Sequence, residues 1–340
     1  MRILPAAAVA LSLAVAGCSS DSKGSSSDAA ASSGGTSSAD ASAFPVTIDS
    51  SVGKATIPSQ PKRVVTIGWG SQDVALALGV VPVGMQDMSG DTGDNTGILP
   101  WDTAKLGGAK PTLLKYVSDE VPYEQIAALH PDLILAVDSG ITAKQQAQLS
   151  HLAPTVGYPG KPWLTSWQDQ LEVVGKALGR STKAAALEKS TDKLISDAKA
   201  AHPEFAGRTV AFGSGTAADN YNLYLSTDSR VELLHELGFT ISPSLPSTAA
   251  SFSAQVSLEK LDSIDSDVLV SWYLSSSVQK QLESNALFQR MPAVKRKGYV
   301  PLTDPAMVYA TSAVSVLSLP WMLDRYLPLL SAAANGKASS

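Results

Sequence analysis

The stretch Lys62–Gly79, KRVVTIGWGSQDVALALG, carries the pattern on which the fold prediction rests. Its β-branched run Val64–Ile67 predicts a short buried strand, since strands covered on both faces are continuously apolar. The residues from Gln72 to Leu78 have a helical pattern that ends at Gly79, a residue that adopts the left-handed conformation of a helix terminus at little cost. A strand, a turn and a helix in this order indicate an α/β unit.

Similar patterns recur in two blocks further along the chain. Tyr123–Leu129 predicts a helix, and Leu133–Val137 predicts a buried strand soon after it. Helix formers dominate between Trp167 and His202, and strand patterns restart at Thr209–Phe212. The sequence therefore predicts two Rossmann-like α/β lobes with mostly parallel sheets, separated by a mostly helical span. The predicted boundaries are an N-terminal lobe at 44–166, a bridging segment at 167–203, a C-terminal lobe at 204–332 and a flexible tail at 333–340.

Three shorter patterns refine this outline. Alternating residues at 46–48 and 55–57 predict a β-hairpin where the folded part begins. The string GSGTAA at 213–218 matches a dinucleotide-binding fingerprint, but an alternating strand pattern follows where that motif needs a helix, so we interpret it as a ligand-facing turn. A last helical region is predicted over Val308–Leu330, interrupted at Pro320.

The composition is that of a protein with a packed core and no nucleic-acid partner. Of 340 residues, 44% are hydrophobic and 17% are charged, which is enough apolar surface to bury a sizeable core. The formal net charge of −5 argues against nucleic acid, whose binding normally requires a basic surface. No segment after the N-terminus approaches about eighteen consecutive apolar residues, so none is predicted to span a membrane.

The only cysteine, Cys18, follows a short apolar run and the small residues Ala16 and Gly17. This pattern predicts a lipoprotein signal peptide at 1–17 and a lipid on Cys18. The linker that continues to Ala43 contains only Ser, Gly, Ala, Asp, Thr and Lys, a composition typical of flexible chain. The mature protein is therefore expected outside the cytoplasm, anchored to the outer face of the cell membrane.

Three strings together resemble a known family: KRVVTIGWGSQDVALALG, YEQIAALHPDLILAVDSG at 123–140, and QVSLEKLDSIDSDVLVSW at 255–272. With the lipoprotein leader, they resemble the substrate-binding lipoproteins of iron-siderophore ABC importers over nearly all of Phe44–Leu330. The resemblance implies two lobes joined by one long helix, with a ligand cleft between them. It also implies a binding protein and not an enzyme, without a cofactor of its own, since iron would enter only as part of the siderophore.

The resemblance and the strand-end positions together select candidate ligand contacts. Ligands of open α/β sheets bind at the carboxyl ends of the strands, and aromatic rings there could pack on the organic shell of a ferric chelate. Few basic residues are available in these loops, namely Arg230, Lys161 and Lys115, which favours a hydroxamate or mixed chelate of low charge over a highly anionic one. The candidate ligand-binding residues are Trp69, Trp101, Tyr158, Trp163, Arg230, Trp272, Tyr273 and Tyr309.

Two acids have a different implied role. In similar binding proteins one glutamate on each lobe contacts the permease, and the matching positions are Glu124 and Glu259. Both are predicted at helix starts, where a carboxylate also interacts favourably with the helix dipole by about 0.3–1 kcal/mol, so a purely local role is the alternative. The implied partners are the permease subunits of an ABC importer, and the protein is expected to act as a monomer.

Other functions fit parts of the sequence. Haem remains an alternative ligand, because a tyrosine such as Tyr158 or Tyr309 could serve as an axial ligand, and cobalamin fits the same scaffold. Direct metal binding would require the four histidines to converge, which their positions do not favour. A structural or adhesive surface lipoprotein is the alternative from another class, and it would show no saturable binding of a small ligand.

Overall fold

The structure, a computed structural model, describes residues 40, 42–116, 120–249 and 252–338. The predicted signal peptide, Cys18 and nearly all of the predicted linker lie outside these residues. None of the helices in the described part of the chain combines the length and the apolar character that a membrane span requires.

The N-terminal lobe is built on a parallel sheet, as the continuous apolar strands predict. Its elements are β1 Val46–Ser50, β2 Gly53–Ile57, β3 Val64–Thr66, α1 Ser71–Ala77, β4 Gly84–Gln86, α2 Pro100–Leu106, β5 Thr112–Leu114, α3 Tyr123–Ala128, β6 Leu133–Leu135, α4 Ala143–Ser150 and β7 Thr155–Val156. The hairpin of β1 and β2 is antiparallel and separate from a sheet with the order β5-β4-β3-β6-β7, in which every pairing is parallel.

Two helices connect the lobes. The first, α5 (Trp167–Ala177), packs on α1 and β1, whereas the second, α6 (Ser181–Ala201), also packs against elements of the C-terminal lobe. With 21 residues α6 is about 31 Å long. The two helices approach closely because Gly175 has no side chain, and a Cβ there would lie 2.6 Å from the Cβ of Ala184. One long helix therefore crosses to the second lobe after a turn at 178–180.

The C-terminal lobe contains a mixed sheet. Its order is β11-β9-β8-β12-β13, with β10 also paired to β8; β8, β10, β12 and β13 are parallel, and the β8, β9 and β11 pairings are antiparallel. Its elements are β8 Thr209–Ala217, β9 Asn220–Tyr224, α7 Ser229–Glu236, β10 Thr240–Ile241, β11 Ser253–Val256, β12 Val268–Tyr273, α8 Ser276–Ser284, α9 Pro292–Lys295, β13 Tyr299–Leu302, α10 Pro305–Ser312 and α11 Ser318–Ala334.

The interpretation of GSGTAA as a turn is wrong, because most of that string continues strand β8. Its glycines make room for tyrosine rings. A Cβ on Gly213 would lie 2.4 Å from the hydroxyl oxygen of Tyr221, and one on Gly215 would lie 2.8 Å from a ring carbon of Tyr273. Glycine here serves packing inside a sheet and does not form a phosphate-binding or ligand-facing turn.

The last helical region also differs from the prediction. The interruption falls at 313–317, between α10 and α11, and Pro320 lies in the first turn of α11, where a missing N–H costs no helical hydrogen bond. Helix α11 runs to Ala334, and Ala333 and Ala334 are buried, so the first two positions of the predicted tail belong to the packed structure.

One hydrophobic core runs through both lobes. It contains Val64 and Leu133 of the first sheet, Val268 of the second, and residues of α5, α6 and α11. A second cluster, which includes Ile67 and Ile134, lies within the N-terminal lobe. The lobes are thus joined by tightly packed helices, which fix the position of the loops that face each other between them.

Candidate functional site

Aromatic residues from both lobes meet between the two sheets. Trp69 follows β3 and Trp163 follows β7; their ring centroids are 5.0 Å apart. Tyr309, on α10 of the other lobe, lies 5.9 Å from Trp69 in an edge-on arrangement. The guanidinium carbon of Arg230, on α7, lies 5.9 Å from the Trp69 ring. Four of the eight predicted ligand residues are therefore gathered in one cleft, at the carboxyl ends of strands of the first lobe.

The turn after β3 holds Trp69 in place through the backbone. The Trp69 N–H donates to the carbonyl oxygen of Asp138, at 2.7 Å. Gly68 has a φ of +80°, and a Cβ on it would lie 2.4 Å from that same carbonyl oxygen. Position 140 also requires glycine, because an added Cβ there would lie 2.5 Å from the indole nitrogen of Trp163. Glycines at these two positions let the β3 and β6 loops approach closely enough to bring the tryptophans together.

Trp101 lies behind the cleft surface and supports it. Its ring is stacked on Tyr309 at 6.2 Å and packs against Trp321 at 5.1 Å. The indole N–H donates to Oδ2 of Asp73 at 2.6 Å, and the hydroxyl of Ser315, which precedes α11, donates to the same oxygen at 2.5 Å. Trp101 and Tyr309 are both buried, so this stacked pair supports the half-buried Trp69 from within the protein.

Arg230 is a buried cation with a fixed partner. Its Nη1 donates to both carboxylate oxygens of Asp228 at 3.0 Å, its Nε donates to Ser312 at 3.3 Å, and its guanidinium carbon lies 4.3 Å above the ring of Tyr224. Burial lowers the pKa of Arg230, but the Asp228 carboxylate, together with Tyr224 and Asp138, raises it, and the net direction is upward. The pair places one guanidinium at the cleft with its charge already balanced.

Two cavities lie between the lobes, and each is lined from both sides. The first, of about 360 Å³, includes Trp272 and Tyr273, while the second, of about 230 Å³, includes Trp163. Trp272 donates from its indole nitrogen to the Tyr224 hydroxyl at 2.8 Å. The cavity of about 360 Å³ is lined by Gly90, Asp91, Trp272, Tyr273, Leu274, Ser275, Ser276, Thr303, Pro305 and Val308. The second is lined by Lys161, Pro162, Trp163, Leu164, Leu225, Ala249 and Phe252.

A larger depression of about 670 Å³ lies on α3 and α4, on the N-terminal lobe alone. Among the described residues that line it, Tyr123 is the only aromatic one, and the depression is open to solvent. The cleft fits a small organic ligand better despite its smaller cavities, because aromatic surface and polar groups converge there from both lobes.

Tyr158 is the candidate that the structure places elsewhere. It is 6% exposed and belongs to the second core cluster of the N-terminal lobe, and it lines neither cavity between the lobes. Lys115 lines neither cavity. Strand β7 ends at Val156, and Tyr158 lies too close to that end to leave the lobe, whereas Trp163, five positions later, extends into the cleft.

Several cleft residues were not predicted. Asp228, Tyr224 and Phe252 surround Arg230, and Asp91 lines the larger of the two cavities. Asp228 could have been found, because an acid at a helix N-cap two residues before an arginine is a local pattern. The others come from different segments and have no shared spacing.

The N-terminal lobe buries three carboxyl groups beside the cleft. Burial raises the pKa of Asp73 to about 7, although the hydrogen bonds from Ser315 and Trp101 act in the opposite direction. Burial, and next the charge of Asp73, raise the pKa of Asp102 well above its ordinary value. Burial also raises the pKa of Asp138 to about 7, against the hydrogen bond from Thr165 and the charge of Arg230. These acids therefore retain protons close to neutral pH.

The two predicted docking acids are exposed, one on each lobe. Glu124 lies in the first turn of α3, which precedes β6, and Glu259 lies in the short 3-10 helix Leu258–Ser263, which precedes β12. The placement is equivalent in the two lobes, and both side chains are accessible to a partner. Within the described part of the chain, no three His, Cys, Asp or Glu side chains come together as a metal ion would require.

Comparison with known proteins gives consistent matches over both lobes. The Fe(3+)-citrate-binding protein YfmC of Bacillus subtilis is 29% identical over 249 residues, which cover 72% of this chain and 73% of that protein. The ferric enterobactin-binding periplasmic protein FepB of Escherichia coli is 27% identical over 300 residues, covering 83% and 92%. The solved structure of PiaA from Streptococcus pneumoniae in complex with ferrichrome is 32% identical, with a TM-score of 0.77 and coverage of 85% and 99%.

The family model described as periplasmic binding protein matches residues 64–306, from the first strand of the N-terminal sheet to the start of α10. This range includes both sheets, both connecting helices and most of the aromatic cleft. The chain therefore belongs to the periplasmic binding protein family.

Proposed function

We propose that this protein is the extracytoplasmic substrate-binding component of an ABC importer and that it captures a ferric siderophore of the hydroxamate or mixed type. The observation that carries the proposal is the aromatic cleft between the lobes, where the ring of Trp69 contacts Trp163 and Tyr309 and lies 5.9 Å from a single charge-balanced guanidinium. The role is one of binding and not of catalysis, and iron is cargo inside the chelate, so the protein needs no cofactor of its own.

The charge of the cleft supports a chelate of low net charge. A highly anionic ferric catecholate would be stabilised by several free cations, but Arg230 is paired with Asp228. Among the described residues that line the two cavities, the charged side chains are one cation, Lys161, and one anion, Asp91. The names or titles of the three similar proteins described above each include an iron chelate, namely ferric citrate, ferric enterobactin and ferrichrome. Of these, ferrichrome best fits a cleft with few free charges.

Delivery to the membrane completes the proposal. A lipid on Cys18 would keep a monomeric protein next to its permease, where a high local concentration favours repeated docking. Glu124 and Glu259 are proposed to contact the two permease subunits. The double variant Glu124→Ala with Glu259→Ala should abolish uptake and leave ligand affinity unchanged; a normal rate of transport in that variant would contradict docking through these acids.

The ligand is tested by titrating the protein from residue 44 onward with ferric siderophores, haem and cobalamin, followed by tryptophan fluorescence. Trp69 and Trp163 line or border the cleft, so a ligand there should change their emission. Saturable binding of a ferric hydroxamate is expected. If haem or cobalamin binds and no ferric siderophore does, the protein is still a substrate-binding component of an importer, but the proposed ligand is wrong. If nothing binds, the proposed substrate-binding role is wrong.

A further inference from the structure

The cavity of about 360 Å³ contains one charged side chain without a partner. Asp91 is the only one of the described residues lining this cavity that carries a charge at neutral pH. Among the residues that the structure describes, its carboxylate accepts no hydrogen bond and forms no ion pair. Burial raises the pKa of this carboxyl group. A half-buried carboxylate without a hydrogen bond or an ion pair would be stabilised by a cation in the cavity.

The rest of the lining suits one kind of cation. Trp272 and Tyr273 supply aromatic rings, and Ser275, Ser276 and Thr303 supply hydroxyl groups. A primary ammonium group is a compact charge with three N–H donors, and it is bound favourably by a carboxylate, by hydroxyl oxygens and by the face of an aromatic ring. All three kinds of partner border the same cavity.

Two helix N-termini also border the cavity, and their partial positive charge would oppose a cation. Both already have an acceptor in place. Ser275 caps α8 by accepting from the Val278 N–H at 3.2 Å, and Asp304 caps α10 by accepting from the Met307 N–H at 2.9 Å. The Asp304 carboxylate adds a second negative charge beside the cavity, since its chain neighbours Thr303 and Pro305 both line it.

The two cavities of the cleft differ in charge. Of the described lining residues, the smaller cavity has Lys161 and no acid, whereas the larger cavity has Asp91 and no base. A ligand that reaches both cavities would therefore bind in one orientation, with a cationic group at the Asp91 end. Leu274, at 69% exposure, gives the mouth of that cavity an apolar edge suited to the methylene chain that carries such a group.

We propose that Asp91 binds the ammonium group of an amine-bearing ferric hydroxamate, and that this cavity selects such ligands over their neutral counterparts. The inference rests on the proposed function, since it names a subclass of siderophore for the same cleft. The ammonium donates to the Asp91 carboxylate, and its charge lies near the rings of Trp272 and Tyr273.

The test uses two linear ferric trihydroxamates that differ only at the terminal nitrogen: one has a free, protonated amine, and the other has the same nitrogen acetylated and therefore uncharged. Dissociation constants are measured at pH 7 for the wild type, for Asp91→Asn and for a control, Asp94→Asn. Asp94 is on the same loop but exposed, and as asparagine it can still accept from the Thr96 N–H. The wild type and the control should bind the free amine about tenfold more tightly, and Asp91→Asn should bind both chelates equally.

Equal binding of the two chelates by the wild type would overturn the ammonium site and leave the siderophore function intact. A preference for the free amine that persists in Asp91→Asn would also overturn it. If neither chelate binds while other ferric hydroxamates do, the assignment of an amine-bearing ligand to this cleft is wrong. Failure of every ferric chelate would instead refute the proposed function itself.

Discussion

The two lobes hold their buried carboxylates in opposite ways. In the C-terminal lobe, Asp228 is fully buried and is paired with the guanidinium of Arg230. In the N-terminal lobe, Asp73, Asp102 and Asp138 are also buried, and no salt bridge to them is found among the described residues. The first arrangement keeps both charges, whereas the second keeps protons on the acids. The cleft between them therefore has little net charge although ionisable groups surround it.

The largest effect is expected from breaking the paired arrangement. Arg230→Ala would leave Asp228 buried without its cation, which should lower the free energy of unfolding by about 3–5 kcal/mol. Urea denaturation measures this. The control is Lys193→Ala, which removes an exposed pair with Asp197 and should cost about 0.5 kcal/mol or less. Similar midpoints for the two variants would show that the buried pair has no special role.

The second test concerns the protons of the N-terminal lobe. Asp73 and Asp138 have folded-state pKa values of about 7, above the ordinary value of 3.8. Their contribution to stability is therefore complete below about pH 4 and is lost as the pH rises towards 7. Each group contributes a slope of up to about 1.4 kcal/mol per pH unit within this window.

Asp138→Asn should make this pH dependence shallower while retaining an oxygen that can accept from the Thr165 N–H. Urea denaturation at several pH values between 4.5 and 7.5 measures the slope, and Asp197→Asn, an exposed position, is the control. An unchanged slope in Asp138→Asn would mean that this carboxyl group is already ionised in the folded protein at low pH.

A smaller effect is expected at the contact that joins the lobes through Asp73. Asp73→Ala leaves two buried donors, the indole of Trp101 and the hydroxyl of Ser315, without an acceptor, which should cost about 1–3 kcal/mol at pH 5. Asp73→Asn keeps an acceptor oxygen and should cost less. Equal losses for the two variants would contradict the acceptor role of Asp73, because only Asp73→Asn keeps an acceptor oxygen.

The smallest effect is expected at Tyr158, a residue of the N-terminal lobe outside the cleft. Tyr158→Phe should change the free energy of unfolding by less than about 0.5 kcal/mol and should leave ligand affinity unchanged. Trp163→Ala, at the cavity, should weaken ligand binding about tenfold. A loss of ligand affinity in Tyr158→Phe would indicate that Tyr158 contributes to ligand binding after all.

The alternation of elements could be predicted because it depends on local pattern. The apolar run at Val64–Ile67 and the glycine at Gly79 indicated β3 and the end of α1, since burial on two faces and left-handed backbone each leave a mark within a few residues. The string GSGTAA was misinterpreted because a local pattern does not show which distant residues pack against its glycines. Glycine in β8 serves the tyrosine rings of neighbouring strands, which no local pattern reveals.

The sequence by itself determined the two α/β blocks, the helical span between them, the scarcity of basic residues and the strand-end positions of Trp69 and Trp163. Only the tertiary structure decided which side chains meet. Asp73 and Ser315 are 242 positions apart and share a hydrogen bond. Backbone conformation and burial are encoded locally, but contacts across the cleft depend on how the helices between the lobes pack, and that packing is a property of the whole chain.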